Sequence, residues 1–136
     1  MSGVVDPIPR LPHGQPFLLL DRVLELDDKR GVFLKLVTAS DPCVAPDGTL
    51  PAAFVLEALA QGGGAFLAGR DGGGATPGYL AGVDGFEMHA DVRVGDRLRV
   101  EVEFLRRAAH ADLFRGCAYV GERLVAEGRF TLALPR

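Results

Sequence analysis

The longest apolar stretch of the chain lies at residues 50–69, with the sequence LPAAFVLEALAQGGGAFLAG. Its apolar side chains cover most of the circumference of a helix, and a helix without a polar face is buried. Pro51 suits the first turn, where a missing N–H costs nothing, and Thr49 can cap it. At about 1.5 Å per residue such a helix spans about 27 Å, the width of a small domain. We therefore predict one long buried helix around which the rest of the chain packs.

The segments on both sides of this helix have the pattern of β-strands. Residues 17–36 predict a hairpin, and residues 39–49, with two prolines and an Asp-Gly pair, predict a loop. Strands follow one another after residue 79. In residues 97–104 apolar and charged side chains alternate, as is typical of a half-buried antiparallel strand. The pattern predicts a single α+β domain over residues 1–136, with a curled antiparallel sheet around one helix.

Composition and charge narrow the class of protein. A chain of 136 residues can form one core without disulfides or metal. The formal net charge of −3 argues against general nucleic-acid binding, which requires a basic face. No signal peptide and no membrane span are predicted, so we expect a cytoplasmic protein. Cys43 and Cys117 lack the spacing of a metal site, so we expect free thiols, no metal and no cofactor.

Two polar side chains, Glu57 and Gln61, interrupt the apolar helix, and their spacing of four places them on one face. A buried carboxyl requires a partner or a proton, because an isolated buried charge is costly. Glu57 therefore either takes part in a reaction or is the structural partner of a buried backbone group or an arginine. Gly62 to Gly64 weaken the helix by about 1 kcal/mol each relative to alanine. They indicate close approach by a second helix or a ligand, or fraying of the helix.

Three motifs in collinear order point to a known family. They are LPHGQPFLLLDRVLEL, then LPAAFVLEALAQ on the helix, then YLAGVD followed by VRVGDRLRVEVEFLRR and ERLVAEGRF. Together they resemble the 3-hydroxyacyl-[acyl-carrier-protein] dehydratases of fatty-acid synthesis, the FabZ/FabA-like family. The resemblance implies a hotdog fold, in which a curled antiparallel sheet wraps around one long buried helix. It also implies a homodimer in which two hotdogs form one continuous sheet.

The resemblance assigns expected roles to residues on and near the helix. The active sites would lie at the dimer interface, where a thioester on acyl carrier protein or coenzyme A enters an apolar tunnel. Glu57 matches the carboxyl that protonates the leaving 3-hydroxyl, and Ala52 matches the position whose backbone N–H holds the thioester oxygen. Tyr79 matches an aromatic gate at the tunnel mouth, although a packed strand aromatic is an equally open reading. We also expect Gln61 to line the tunnel.

One departure from the family concerns the catalytic histidine. The family carries it in a Gly-His-Phe-Pro-Gly loop before the helix, whereas this chain reads DPCVAPDGTLP there. A base whose pKa is near neutral suits removal of an α-proton, so His13 is the candidate replacement. A structural role for His13 is the alternative. His89 and His110 are expected at the surface. The DG-x-LP pattern is similar to dehydratase-like proteins of polyketide-like aryl polyene pathways.

Three functions remain open from the sequence. The first is a lyase that converts a 3-hydroxyacyl thioester to a trans-2-enoyl thioester and water. The second is a thioesterase in which Glu57 activates water, and the third is a non-catalytic hotdog subunit that binds the acyl carrier. Because carrier proteins are acidic, Arg106 and Arg107 are candidate docking residues, with a solvated strand end as the alternative. Acyl chain length, aryl or alkyl substrate and assembly beyond a dimer are not fixed by the sequence.

Overall fold

The fold consists of one helix packed against one antiparallel sheet, in a computed structural model that describes residues 19–70 and 79–133. The elements in chain order are β1 (Arg22–Leu26), β2 (Arg30–Leu36), α1 (Ala52–Arg70), β3 (Tyr79–Met88), β4 (Arg97–Ala108), β5 (Ala111–Val120) and β6 (Arg123–Ala133). The six strands have the order β1-β2-β4-β5-β6-β3, and every neighbouring pair is antiparallel. This architecture confirms the predicted hotdog fold.

The strands show why the alternating pattern forms a two-faced sheet. In β4, Leu98, Val100 and Val102 are at most 1% exposed and face α1. The charged residues between them lie on the outer face, where Glu101 accepts hydrogen bonds from Arg30 at 3.2 Å and Arg99 at 2.7 Å. Burial of the apolar face stabilises the sheet against the helix, and the charged face remains in contact with water.

The glycines of α1 let the helix approach the sheet closely. A Cβ on Gly63 would lie 2.9 Å from the Phe130 ring, and one on Gly62 would lie 3.1 Å from Val102. The helix continues without fraying to Arg70, so the close approach is to the sheet and not to a second helix or a ligand. Phe130 stacks on Phe114 with ring centroids 5.3 Å apart, which fills the space that the glycines leave.

The start of α1 differs from the prediction of a Thr49 cap. The Thr49 hydroxyl donates to Asp47 Oδ1 at 2.6 Å, and the backbone of Thr49 bridges to Arg93. The Pro51 carbonyl instead accepts the N–H groups of Phe54 and Val55. The Asp47 side chain, two residues away, accepts the hydrogen bond of the Thr49 hydroxyl, which is therefore not available to cap the helix. Pro51 occupies the position directly before the first residue of α1.

The apolar character of α1 also corrects the expectation that no segment is long enough to cross a membrane. By length and composition alone, Ala52–Arg70 would pass as such a helix. Most of it is buried against the sheet, which is the environment of a core helix. Its length and composition are therefore only weak evidence for a membrane role. The long apolar run therefore reflects its central position in the fold.

Candidate active site

Glu57 and Gln61 meet on the face of α1 as the sequence spacing predicts. The Gln61 Nε2 group donates a hydrogen bond of 3.0 Å to Glu57 Oε2. Neighbouring residues that face the sheet, Val55, Ala58 and Leu59, are fully buried, whereas Glu57 is only half-buried. The helix thus holds a carboxyl at the boundary between the core and the surface of the chain.

The second end of the Gln61 amide is bonded to the backbone of a distant segment. Gln61 Oε1 accepts the Leu19 N–H at 2.8 Å, and Gln61 itself is 1% exposed. Gln61 is therefore held inside the fold, and its expected place on the tunnel wall stays a prediction. The amide links the helix carboxyl to the chain segment that begins at Leu19.

His13, the candidate base, lies outside the described residues. The assignment of His13 as the base stays a prediction.

Ala52 is the first residue of α1, as expected for a group that holds a thioester oxygen. The Pro51 carbonyl accepts from Phe54 and Val55, so these later amides are satisfied within the helix. The Ala52 N–H has no hydrogen-bond acceptor among the described residues. An N–H at the positive end of a helix dipole is suited to stabilise negative charge on an oxygen.

The loop between β2 and α1 contains no histidine, and its buried polar groups have structural partners. Lys35 Nζ lies 2.6 Å from Asp41 Oδ2, and Asp41 Oδ1 accepts the Cys43 N–H. Burial raises the pKa of the Asp41 carboxyl, but the hydrogen bonds from Lys35 and Cys43 outweigh it and lower this pKa. Burial, followed by the Asp41 charge, raises the pKa of the Cys43 thiol. Cys43 is therefore an unreactive free thiol and not a substitute nucleophile.

The remaining predicted residues lie in or next to strands β3 and β4. His89 and His110 are exposed as expected, and His89 Nε2 lies 2.8 Å from Glu127 Oε2. Tyr79 begins β3 and is 61% exposed, and its role as a gate stays a prediction. Arg106 and Arg107 lie exposed near the end of β4.

The two arginines at the end of β4 differ in their partners. Arg107 donates two hydrogen bonds, at 2.7 Å and 2.9 Å, to the carboxylate of Asp112, which is fully buried. The sequence reading missed this pair, although the short β4–β5 turn brings both residues into register. Arg107 is thus engaged in the fold, and Arg106 is the more available of the two docking candidates.

A separate cleft of about 260 Å³ lies on the outer face of the sheet, away from α1. Carboxylates, arginines and two glycines line it: Asp84, Gly85, Glu87, Arg115, Glu127, Gly128 and Arg129. Within residues 19–70 and 79–133 no group of histidine, cysteine and acidic side chains is arranged to hold a metal ion. The helix carboxyl of Glu57 stays the candidate group for proton transfer among the described residues.

The fold and this carboxyl define a hotdog protein with a candidate acid on its central helix. A family model described as ApeP-like, ApeP dehydratase, matches residues 6–136. The FabZ 3-hydroxyacyl-[acyl-carrier-protein] dehydratase of Geobacillus thermodenitrificans is 36% identical over 129 residues, covering 91% of this chain and 89% of the relative. The FabZ of Clostridioides difficile is 37% identical over 136 residues, covering 96% of each chain.

Solved structures agree on the fold. The dehydratase heterocomplex ApeI:P from Xenorhabdus doucetiae matches with a TM-score of 0.84 and 22% identity, covering 93% of this chain and 88% of that one. A hypothetical thioesterase with coenzyme A from Streptococcus pneumoniae matches with a TM-score of 0.69 and 14% identity, over 83% and 84%. This chain belongs to the ApeP-like dehydratase family. The prediction of a FabZ-like 3-hydroxyacyl-[acyl-carrier-protein] dehydratase is confirmed by its family and relatives.

Proposed function

We propose that this chain acts in the cytoplasm on a 3-hydroxyacyl thioester of acyl carrier protein, in fatty-acid or polyketide-like biosynthesis, with Glu57 as the acid. The observation that supports this role is the position of the carboxyl. Glu57 is half-buried on an otherwise apolar helix and accepts a hydrogen bond from the Gln61 amide. A carboxyl at the boundary between an apolar core and the surface is suited to serve as a general acid for a leaving hydroxyl group.

The elimination requires two proton transfers and no redox step. A base removes the proton from C2 of the substrate, the bond between C3 and its hydroxyl oxygen breaks, and the C2–C3 double bond forms. The Glu57 carboxyl gives its proton to the departing oxygen, which leaves as water. Negative charge that develops on the thioester oxygen is stabilised by the N–H of Ala52 at the start of α1. His13 is the proposed base.

We infer that a second hotdog chain completes the site along β3. This strand lies at one edge of the sheet and pairs only with β6 among the described strands. Three of its large apolar side chains are exposed: Tyr79 at 61%, Leu80 at 37% and Val83 at 45%. An apolar edge strand of ten residues is suited to continue the sheet into a partner, which would also cover Glu57.

The partner is either a second copy of the chain or a different hotdog subunit. The relative from Xenorhabdus doucetiae is described as a heterocomplex. The loop before α1 has no histidine in this chain, which favours a second candidate function as the subunit that binds the acyl carrier while another chain supplies the base. In that case Glu57 and its partner's base would still face one substrate.

Docking of the acidic carrier protein is assigned to Arg106 at the end of β4. This side chain is exposed, and no ion pair within the described residues engages it. Because the attraction between exposed charges is screened by salt, raising the ionic strength should weaken use of a carrier-linked substrate. A small thioester analogue should be used equally well at both ionic strengths. The R106E variant should abolish the effect of ionic strength on use of the carrier-linked substrate.

The decisive experiment follows enoyl absorbance and free thiol in the same reaction. The purified chain is incubated with 3-hydroxyacyl, trans-2-enoyl and saturated thioesters in the presence of a thiol reagent. A lyase changes the enoyl absorbance without releasing thiol, whereas a thioesterase releases thiol from saturated substrates. Inertness on all three substrates, together with binding of the loaded carrier protein, would support the subunit role and contradict the lyase acting alone.

A further inference from the structure

The cleft on the outer face of the sheet lies at a β-bulge in β3. The pairing of β3 with β6 shifts between Asp84 and Glu87, because β3 carries one extra residue there. Gly85, inside the bulge, has a φ of 65°, which glycine adopts without strain. A Cβ on Gly128, opposite the bulge, would lie 2.8 Å from the Cα atom of Phe86. Both glycines line the cleft, so backbone without side chains leaves space between its charged walls.

The charged side chains around the cleft include two like-charged pairs of opposite sign. Arg115 on β5 lies directly opposite Arg129 on β6, and these two form the arginine pair. Two residues away on β6, Glu127 lies directly opposite Glu87 on β3, and these two form the glutamate pair. Like charges directly opposite each other on neighbouring strands destabilise a sheet. The cleft therefore has a cationic end and an anionic end, about 7 Å apart along the strand.

Most of the charges around the cleft are not neutralised by the described part of the chain. Glu127 Oε2 lies 2.8 Å from His89 Nε2. Four other lining side chains make no ion pair or hydrogen bond with another described residue: Asp84, Glu87, Arg115 and Arg129. No set of histidine, cysteine and acidic side chains among the described residues is arranged for a metal ion, so a metal does not supply the missing charge.

We propose that this cleft binds a small zwitterion, with its oxyanion at the arginine pair and its ammonium group at the glutamate pair. A guanidinium group matches the geometry of a phosphate or carboxylate, and two of them hold one oxyanion from two sides. A ligand with both charges relieves both repulsions, whereas the glutamate pair repels a simple anion. The volume of about 260 Å³ is below the range of about 300–1,000 Å³ for drug-sized ligands, so the ligand is small.

The cleft stays accessible when a second chain continues the sheet along β3. Hydrogen bonds between strands lie in the plane of the sheet, whereas the side chains of the cleft project from its outer face. The helix α1 packs against the inner face, where Gly62 lies against Val102. Binding in the cleft therefore does not depend on the role proposed for Glu57.

The test measures binding of O-phosphoethanolamine to the whole chain by calorimetry, beside its two halves, ethyl phosphate and ethylammonium. The zwitterion should bind at least about tenfold more tightly than either half, because each end adds a charge-assisted hydrogen bond. 4-Aminobutyrate, with butyrate as its anionic half, tests a carboxylate in place of the phosphate. Binding of ethyl phosphate as tight as that of O-phosphoethanolamine would overturn the proposal, as would no binding of either zwitterion at millimolar concentration.

Variants at the two ends of the cleft show which end holds which charge. R129Q should weaken binding of both O-phosphoethanolamine and ethyl phosphate about tenfold, whereas E87Q should weaken binding of the zwitterion alone. Neither variant should lower the melting temperature without ligand, because each removes a like-charge repulsion. R123Q, at an exposed arginine that begins β6 outside the cleft, is the matched control and should bind as wild type.

Unchanged binding in both R129Q and E87Q, or an equal loss of binding in R123Q, would contradict the assignment of the cleft. E57Q should bind O-phosphoethanolamine as wild type does, so the outcome of this test is independent of the outcome for the dehydration.

Discussion

Two carboxyl groups enter the interior of this protein with different partners. Asp112 on β5 is fully buried and receives two hydrogen bonds from the Arg107 guanidinium, at 2.7 Å and 2.9 Å. Glu57 on α1 is half-buried and receives a hydrogen bond of 3.0 Å from the Gln61 amide. One partner carries a permanent positive charge, and the other carries none.

Our proposal separates a structural carboxylate, Asp112, from a chemical one, Glu57. The bidentate hydrogen bonds from Arg107 to Asp112 stabilise the β4–β5 hairpin. The carboxyl of Glu57 lies at the boundary between the core and the surface, and it is the group that the proposed function uses to transfer a proton. The predictions below test this contrast.

The largest expected effect is on turnover in E57Q. Glutamine keeps the shape of the side chain and cannot supply the proton, so kcat should fall about 10²- to 10⁴-fold. The unfolding transition should change little. The matched control is E122Q, an exposed carboxyl in the turn between β5 and β6, which should retain wild-type turnover. Equal turnover in E57Q and E122Q would remove Glu57 from the mechanism.

R107M should behave oppositely to E57Q: the free energy of unfolding should fall, and turnover should remain at the wild-type level. The change leaves the Asp112 charge buried without its guanidinium, which should cost about 2 to 4 kcal/mol in denaturant unfolding at neutral pH. R106M is the matched control and should change stability by less than about 0.5 kcal/mol. Adding D112L to R107M should recover part of the loss, because the buried charge is then removed. No loss in R107M would mean that the ion pair is not structural.

D41N tests a third carboxylate, whose side chain is 9% exposed, through the dependence of stability on pH. The pKa of Asp41 is lowered in the folded protein, so the charged form stabilises the fold above the unfolded pKa of about 3.9. D41N should therefore cost about 1 to 3 kcal/mol at pH 7, because Lys35 loses a charged partner. The difference from wild type should shrink as pH falls below about 4. D91N, at an exposed ion pair, should change little at any pH.

The smallest expected effect is that of G63A, on the face of α1 that packs against Phe130. The added methyl group would lie 2.9 Å from the Phe130 ring, which is stacked on Phe114 and has little room to move. Overpacking of about 1 to 3 kcal/mol should outweigh the gain of about 1 kcal/mol in helix propensity. Thermal unfolding should therefore occur at a lower temperature, with kcat unchanged. G62A, with a contact of 3.1 Å, should be affected less.

The sequence was sufficient for the helix, the strands and the pairing of Glu57 with Gln61. These features depend on spacing within one element, such as the alternation of β4 or the interval of four residues on α1. The all-round apolar pattern of α1 correctly placed it in the core. Residues 50–69 predicted the helix within two residues of its bounds at Ala52 and Arg70.

Features that depend on contacts between distant segments were not predicted. The Leu19 N–H that bonds Gln61 lies 42 residues away in the chain, so no local pattern could show that Gln61 is buried. Thr49 had the chemistry of a cap, but its pairing with Arg93 and its bond to Asp47 take it away from the helix. The sequence also left open whether the glycines face the sheet, a helix or a ligand, which only the packing of Phe130 decides.

The most direct test of the central claim uses water labelled with oxygen-18. A 3-hydroxyacyl thioester is incubated with the wild-type protein and with E57Q, and the mass of the recovered thioester is measured. Reversible elimination through Glu57 predicts that the label enters the C3 hydroxyl of the intact thioester with wild type and not with E57Q. Label found only in a free carboxylic acid, or equal exchange in both proteins, would contradict the account.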